Sequence, residues 1–316
     1  MQLTSNTQAF IDAEVYSDFI LMNLHDGLLD EQFYRNVADF GSGTTLNIKT
    51  VGSVTIQEAT ENEALTYNPI ESGTVTLQIT DYDGDAWFIT DDLREDGEQV
   101  DALMAARSAE STRALQEKFE TRFLSVANAG QTNADPNTIN GFPHRISSAV
   151  ATSGSENTFL TDHLVSMRLA FDKANVPTNG RVFIADPVVE ATLNKLVAIT
   201  SDVTPFAESI LRSGMSSGMR FVGQLYGFDI ILSNRLPTGN FSDGTTAVTG
   251  AVANIAMCVL DDQCKPVMGA WRRQPRVEGE RNKDLRRDEF VVTARYGLGV
   301  QRVDTLGVII TSASKY

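Results

Sequence analysis

One stretch constrains this chain more than any other: "EQVDALMAARSAESTRALQEKFETRFLSVANAG", from about residue 98 to 128. It is rich in Ala, Leu, Glu, Arg and Gln, holds no proline, and repeats apolar positions at Leu103, Met104, Leu115, Phe119, Phe123 and Val126. That pattern predicts an amphipathic helix that stops at Gly130. At a rise of 1.5 Å per residue, thirty residues span roughly 45 Å, longer than the helices of most compact domains. The apolar residues make a single stripe with no sustained heptad, so a coiled-coil arm is disfavoured. The rest of the fold must be organised along this rod.

On its N-terminal side, residues 8 to 29 place Ile11, Val15, Phe19 and Met22 at helical spacing, with Gly27 as a stop. From 44 to 80 the texture changes to short alternating segments, "TTLNIKT", "SVTIQEAT", "LTYNPI" and "GTVTLQIT". Their apolar residues, among them Leu46, Ile48, Val54, Ile56, Leu65 and Ile70, are too few for a separate core. The segment reads as a long protruding β-hairpin, which is stable only when it lies on its own chain or a neighbour. After the long helix the chain becomes mixed α/β. "LTDHLVSMRLAFDKA" is an amphipathic helix, "RVFIA" a buried strand, and "DPVVEATLNKLVA" a helix with Asp186 as N-cap and Pro187 in its first turn. "TPFAESILRSG" follows, then "FVGQLYGFDIILSNRLP" with its strand, "NIAMCVLD", and two closing strands, "EFVVTARYGLGVQRV" and "LGVIITS". The class is α+β, with no internal repeat.

Several motifs suggest chemistry and then fail on context. "ITDYDGDAWFITDD" puts Asp81, Asp83, Asp85 and Asp92 at the first, third, fifth and twelfth positions of a calcium loop. Ala86 occupies the place of the turn glycine, however, and the preceding segment alternates as a strand, so no metal site is assigned. Gly214-Met215-Ser216-Ser217-Gly218 matches a nucleophile elbow, but a helical segment precedes it and a strand follows, the reverse of the required order. His25, His144 and His163 all lie before that serine. No phosphate-binding loop, dinucleotide fingerprint or zinc-helix motif occurs. No catalytic residue and no cofactor is expected. Cys258 and Cys264 offer half a zinc site at best and read as two reduced structural cysteines.

The formal net charge of −15 disfavours a dedicated nucleic-acid binder. Residues 271 to 290 oppose the trend with Arg272, Arg273, Arg276, Arg281, Lys283, Arg286 and Arg287, interleaved with Glu278, Glu280, Asp284, Asp288 and Glu289. Mixed signs at this density predict a solvated loop or a salt-bridging contact with another subunit. No window has the apolar length to cross a bilayer, and "MQLTSNTQAF" has neither the basic cluster nor the apolar run of a secretory leader. A membrane partner is not expected.

The order of arm, hairpin, strand, long helix, mixed α/β region and closing strand resembles the major capsid protein of tailed double-stranded DNA bacteriophages, the Hong Kong 97-like family. "NVPTNGRVFIADPVVEATL", "GQLYGFDIILSNRLP" and "FVVTARYGLGVQRVDTLGVII" resemble three of its passages in the right order. The resemblance implies a non-enzymatic structural protein that self-assembles into an icosahedral head around the phage genome. It implies an N-terminal arm (1–43), an extended loop (44–80), a peripheral domain (81–139 and 291–316) with the spine helix, and an axial domain (140–290). Partners would be copies of the chain as pentamers and hexamers, a separate scaffolding protein, a portal, a decoration protein, and packaged DNA by weak non-specific contact. Assembly in the host cytoplasm and residence in the virion follow. The interface residues would be Leu46, Ile48, Val54, Ile56, Leu65 and Ile70 on the loop, with Arg272, Arg273, Arg276, Arg286 and Arg287. The acids from Asp81 to Asp92 would lie at a surface or subunit contact. Lys49 is the only lysine in the loop, and no covalent cross-link is expected. With the arm starting at Met1, scaffolding is expected from a separate chain. The same fold also builds encapsulin nanocompartments, and an acidic cytoplasmic α/β enzyme is the reading from a different class.

Overall fold

The computed structural model describes residues 28–29, 31–37, 43–52, 56–59, 61–62, 64, 67, 69, 72–97, 100–131, 138–148, 157–199 and 220–316. The helices expected at 8–29 and in "TPFAESILRSG", and the Gly214–Gly218 loop, lie outside them. In chain order the strands are β1 (Arg35–Asn36), β2 (Thr45–Val51), β3 (Ser72–Gln78), β4 (Asp81–Thr90), β5 (Thr138–Ile139), β6 (Phe142–Pro143), β7 (Arg145–Ser147), β8 (Arg181–Ala185), β9 (Arg220–Leu225), β10 (Phe228–Leu232), β11 (Thr238–Ser242), β12 (Ala247–Cys258), β13 (Val267–Asn282), β14 (Arg287–Val300) and β15 (Leu306–Ser312). The helices are α1 (Asp91–Asp96), α2 (Val100–Gly130), α3 (Thr161–Lys173) and α4 (Pro187–Ile199).

The long helix forms as its sequence predicts, 31 residues ending at Gly130. Its buried face, Ser111, Leu115, Phe119, Glu120, Phe123, Leu124 and Ala127, belongs to the C-terminal two thirds. Leu103, expected on the apolar stripe, is exposed, so the first turns reach past the apolar support. Beneath α2 lies a four-stranded sheet in the order β1-β13-β14-β4, antiparallel except for β1 with β13. Phe119 holds the two layers together, with ring centroids 4.4 Å from Trp271, 5.0 Å from Tyr296 and 5.3 Å from Tyr34.

A seven-stranded mixed sheet runs β7-β15-β12-β8-β10-β9, with β11 also paired to β12. Every residue of β8 and β15 is buried, which is why "RVFIA" and "LGVIITS" read as nearly unbroken apolar runs instead of alternating ones. Phe159, Leu164, Met167, Phe171, Phe183, Phe228 and Ile309 form one core cluster with this sheet. Asp186 caps α4 through a 3.0 Å bond from the Val188 amide, as expected. The hairpin between β9 and β10 turns on Tyr226 and Gly227, both at positive φ, which a two-residue turn matched to strand twist requires.

Two side chains tie α2 to the seven-stranded sheet. Glu120, buried, accepts from Ser233 Oγ at 3.1 Å and the Leu29 amide at 3.3 Å, with Arg235 at 3.4 Å. Arg145, buried on β7, donates to the Asn128 and Gln131 carbonyls at the C-terminal end of α2 and to the Ser242 carbonyl on β11.

The C-terminal third divides between the sheets differently from the 140–290 and 291–316 expectation. β13 leaves the axial region to join β4 and β14, and β15 returns to the heart of the seven-stranded sheet. Strand order along the chain does not dictate which sheet a strand joins, and the chain crosses between the sheets after β12 and again after β14. Residues 271–290 are also not a loop: most of them are paired strand, with Glu280 opposite Glu289 and Arg281 opposite Asp288.

Candidate functional site

The acidic stretch that mimics a calcium loop has a different role. Asp81, Asp83 and Asp85 alternate along β4, so their side chains share the face turned toward α2. Lys118 and Arg122 on α2 are four residues apart and Arg107 lies further toward its start, so the helix presents a row of cations. Arg122 meets Asp81 at 2.5 Å, Lys118 meets Asp83 at 2.5 Å, and Arg107 meets Asp85 at 2.7 Å. Ser111 Oγ adds a 2.6 Å bond to Asp85, and Tyr296 Oη one of 2.8 Å to Asp83. Burial pushes the Asp83 carboxyl up, but the bonds from Lys118 and Tyr296 and the charges of Lys118 and Arg122 outweigh it and hold the group below its ordinary value. This corrects the expected surface or subunit contact: these acids clamp strand to helix within one chain. No group of three or more His, Cys, Asp or Glu among the described residues is arranged to hold a metal ion.

The histidines are likewise structural. His144 is buried, which lowers its pKa, and its Nδ1 faces the Phe142 carbonyl at 3.2 Å. His163 Nδ1 accepts the Leu160 amide at the start of α3.

The surfaces left for other molecules are two projecting hairpins. β2 and β3 pair from Thr45 with Gln78 to Val51 with Ser72, giving the hairpin expected in 44–80. Its base is anchored on its own chain: Leu77 is buried with Val37, Met268 and Ala270, and Leu46, Ile48 and Val75 pack against them. Gly297 on β14 lies under this base, where a Cβ would collide with the Gln78 carbonyl. Toward the tip the apolar residues have no cover. Val51 is 76% exposed, Ile56 91% and Tyr67 99%. Val54, Leu65 and Ile70 lie outside the described residues. Leu46 and Ile48, expected to meet a neighbour, are thus spent on the chain's own core.

The second hairpin joins β13 to β14. Asn282 Oδ1 accepts the Asp284 and Leu285 amides in its turn, and Leu285 at the end is 57% exposed. Several charges here pair internally: Arg281 grips Asp91 with two bonds of 2.8 and 2.9 Å, Arg94 meets Asp288, Arg287 meets Glu289 at 2.7 Å, and Arg273 meets Glu278 at 3.5 Å. Arg273 and Arg287 therefore have partners inside the chain, whereas Arg272, Arg276 and Arg286 are exposed along the same hairpin. The internal pairing was missed because its partners in α1 lie nearly two hundred residues away.

A helix-backed sheet, a buried mixed sheet and two projecting hairpins with uncovered apolar tips define the Hong Kong 97-like class of shell-building structural proteins. A family model described as phage capsid protein matches residues 72–311, and the chain belongs to that family as a major capsid protein. Among solved structures, the capsid of cyanophage P-SCSP1u is similar at a TM-score of 0.71 and 20% identity, over 98% of this chain and 94% of that one. Mycobacterium phage Che8 is similar at 0.67 and 17% identity, over 97% and 98%. The mature capsid of bacteriophage PhiM1 is similar at 0.69 and 13% identity, over 97% and 93%. At these identities the likeness speaks for the fold. No curated protein matches the chain by sequence.

Proposed function

We propose that copies of this chain assemble as pentamers and hexamers into the icosahedral head that encloses a tailed phage's double-stranded DNA. The observation that carries this reading is the uncovered tip of the β2–β3 hairpin, since Val51, Ile56 and Tyr67 have no partner surface on the described chain. In the shell the tip lies on a neighbour, with Val54, Leu65 and Ile70 contributing, and Arg272, Arg276 and Arg286 face a neighbouring copy across the second hairpin. The peripheral domain comprises β4, α2, β13 and β14, and the axial domain comprises the seven-stranded sheet with α3 and α4. Assembly takes place in the host cytoplasm on a separate scaffolding protein, with a portal and a decoration protein completing the particle. Contact with packaged DNA is weak and non-specific, because a chain of net charge −15 repels phosphate.

Negative-stain microscopy of the expressed chain, alone and with candidate scaffolding proteins, tests this. Closed icosahedral shells are the expected result. A small oligomer of fixed size under every assembly condition would overturn it.

A further inference from the structure

An assembly role leaves one pair of reactive groups unused, Cys258 and Cys264. Cys258 ends β12, fully buried, with its amide on the Thr305 carbonyl at 3.2 Å and its thiol toward the Asn179 carbonyl at 3.8 Å. Cys264 lies six residues on, in the turn that carries the chain out of the seven-stranded sheet toward β13, and packs against the same apolar cluster. That turn is firmly held. Asp261 Oδ1 accepts the Gln263 amide at 3.0 Å and the Cys264 amide at 2.8 Å, and the Asp261 carbonyl accepts the Cys264 and Lys265 amides at 3.1 Å. The Val259 amide fixes the other end on the Gly180 carbonyl at 2.8 Å. The result is that the two thiols meet in a sulfur-to-sulfur hydrogen bond, both in the free state.

We propose that Cys258 and Cys264 are a redox modification site that closes into an intrachain disulfide, with a low-molecular-weight disulfide of the glutathione type as oxidant. The less buried Cys264 sulfur, as thiolate, attacks one sulfur of the small disulfide; its S–S bond breaks and the departing thiolate takes up a proton. Cys258 then attacks the mixed disulfide at Cys264 and releases the second small thiol. Two protein thiols are oxidised and one small disulfide is reduced to two thiols, so electrons and protons balance.

The chemistry also sets when the bond closes. Burial, with the Asp261 carboxylate and the neighbouring Cys258, pushes the Cys264 thiol up to about 11. At pH 7 only about one such thiol in ten thousand is ionised, and the thiolate is the attacking species. Closure is slow compared with synthesis and is opposed by a reducing cytoplasm. It belongs to a particle already released into an oxidising medium; this timing, unlike the bond itself, rests on the capsid reading above. Once formed, the bond locks the crossover between the two sheets, because β12 and β13 lie in different ones.

The test uses the purified full chain as soluble subunits, incubated with oxidised glutathione and then unfolded for thiol titration and intact mass. Free thiols should fall from two to none with the loss of two hydrogens, and dithiothreitol should reverse the change. Cys258→Ala should instead stop with one glutathione attached. Amides of 259–263 should exchange roughly tenfold or more slower in the oxidised wild type. Two persistent thiols, a wild type that also stops at the glutathione adduct, or covalent dimers in place of an intrachain bond would each overturn the proposal. Because the measurement reads subunits, failure to form this bond and failure to form shells are seen separately.

Discussion

The two sheets of this protein are held by opposite chemistry. The seven-stranded sheet buries β8 and β15 completely and is surrounded by Phe159, Phe171, Phe183 and Phe228. The four-stranded sheet covers one face with α2, fastened by a row of ion pairs and an aromatic cluster, and leaves Tyr82, Phe88 and Val291 on its other face exposed. One region is complete as a single chain; the other is a plate with projecting hairpins whose outer surfaces remain open. Division of this kind suits a shell subunit, since the self-sufficient part can fold first and the open part can take its final cover from neighbours.

The largest expected effect tests the self-sufficiency of the buried sheet. Phe183 is fully buried on β8, 5.8 Å from Phe159. Phe183→Ala should cost about 3–5 kcal/mol of subunit stability, measured by urea denaturation. A loss of under about 1 kcal/mol would mean that this core is not where stability resides.

A smaller loss is expected on the plate. Asp83→Asn removes a charge that Lys118 and Tyr296 both address, and should cost about 1–2 kcal/mol, because Lys118 is itself half exposed. Both tryptophans, Trp87 and Trp271, are in the four-stranded sheet, so intrinsic fluorescence reports this region and not the other. That gives a pH test. A carboxyl held below its ordinary value of 3.8 stabilises the fold fully above that value, and the contribution fades as pH falls through the lower native value. Tryptophan emission should therefore hold steady from pH 7 to about 5 and change only below about 4. Lys118→Met should move the transition to higher pH. A transition unmoved by that substitution would detach the ion row from acid stability.

The same contrast explains what the sequence made legible. α2, β8, the Asp186 cap, the β2–β3 hairpin and the Hong Kong 97-like fold were readable because each rests on local periodicity or on element order. β13 was not. Its distal half carries Arg276, Glu278, Glu280 and Arg281 with a single apolar residue, Val277, so no hydrophobic alternation marks it as a strand. The acids of β4 were visible as a motif, yet their partners Arg107, Lys118 and Arg122 are identified only when the helix is laid across the sheet. Sheet membership of β13 and β15 depends on two crossovers that leave no local signature. The fold was thus easier to read than the surfaces, because contacts distant in sequence decide which charges are spent within the chain.

The smallest expected effect on the subunit bears most on assembly. The hairpin base, with Leu77 buried and Leu46, Ile48 and Val75 packed beside it, belongs to the chain's own core, whereas Ile56 and Tyr67 toward the tip are almost wholly exposed. Substituting Ile56 and Tyr67 with serine should change subunit stability by less than about 0.5 kcal/mol, since neither side chain is covered in the free chain. Shell formation should nevertheless fail, as it should when residues 50–70 are replaced by a Gly-Gly closure. Hydrogen exchange separates the two halves directly. Amides of Leu46 and Leu77 should be slow in free subunits and in shells alike, while those of Ile56 and Tyr67 should be fast in subunits and slow in shells. If the tip amides are equally protected before assembly, the tip packs on its own chain and the neighbour contact must be sought elsewhere, with the exposed arginines of the β13–β14 hairpin as the first place to look.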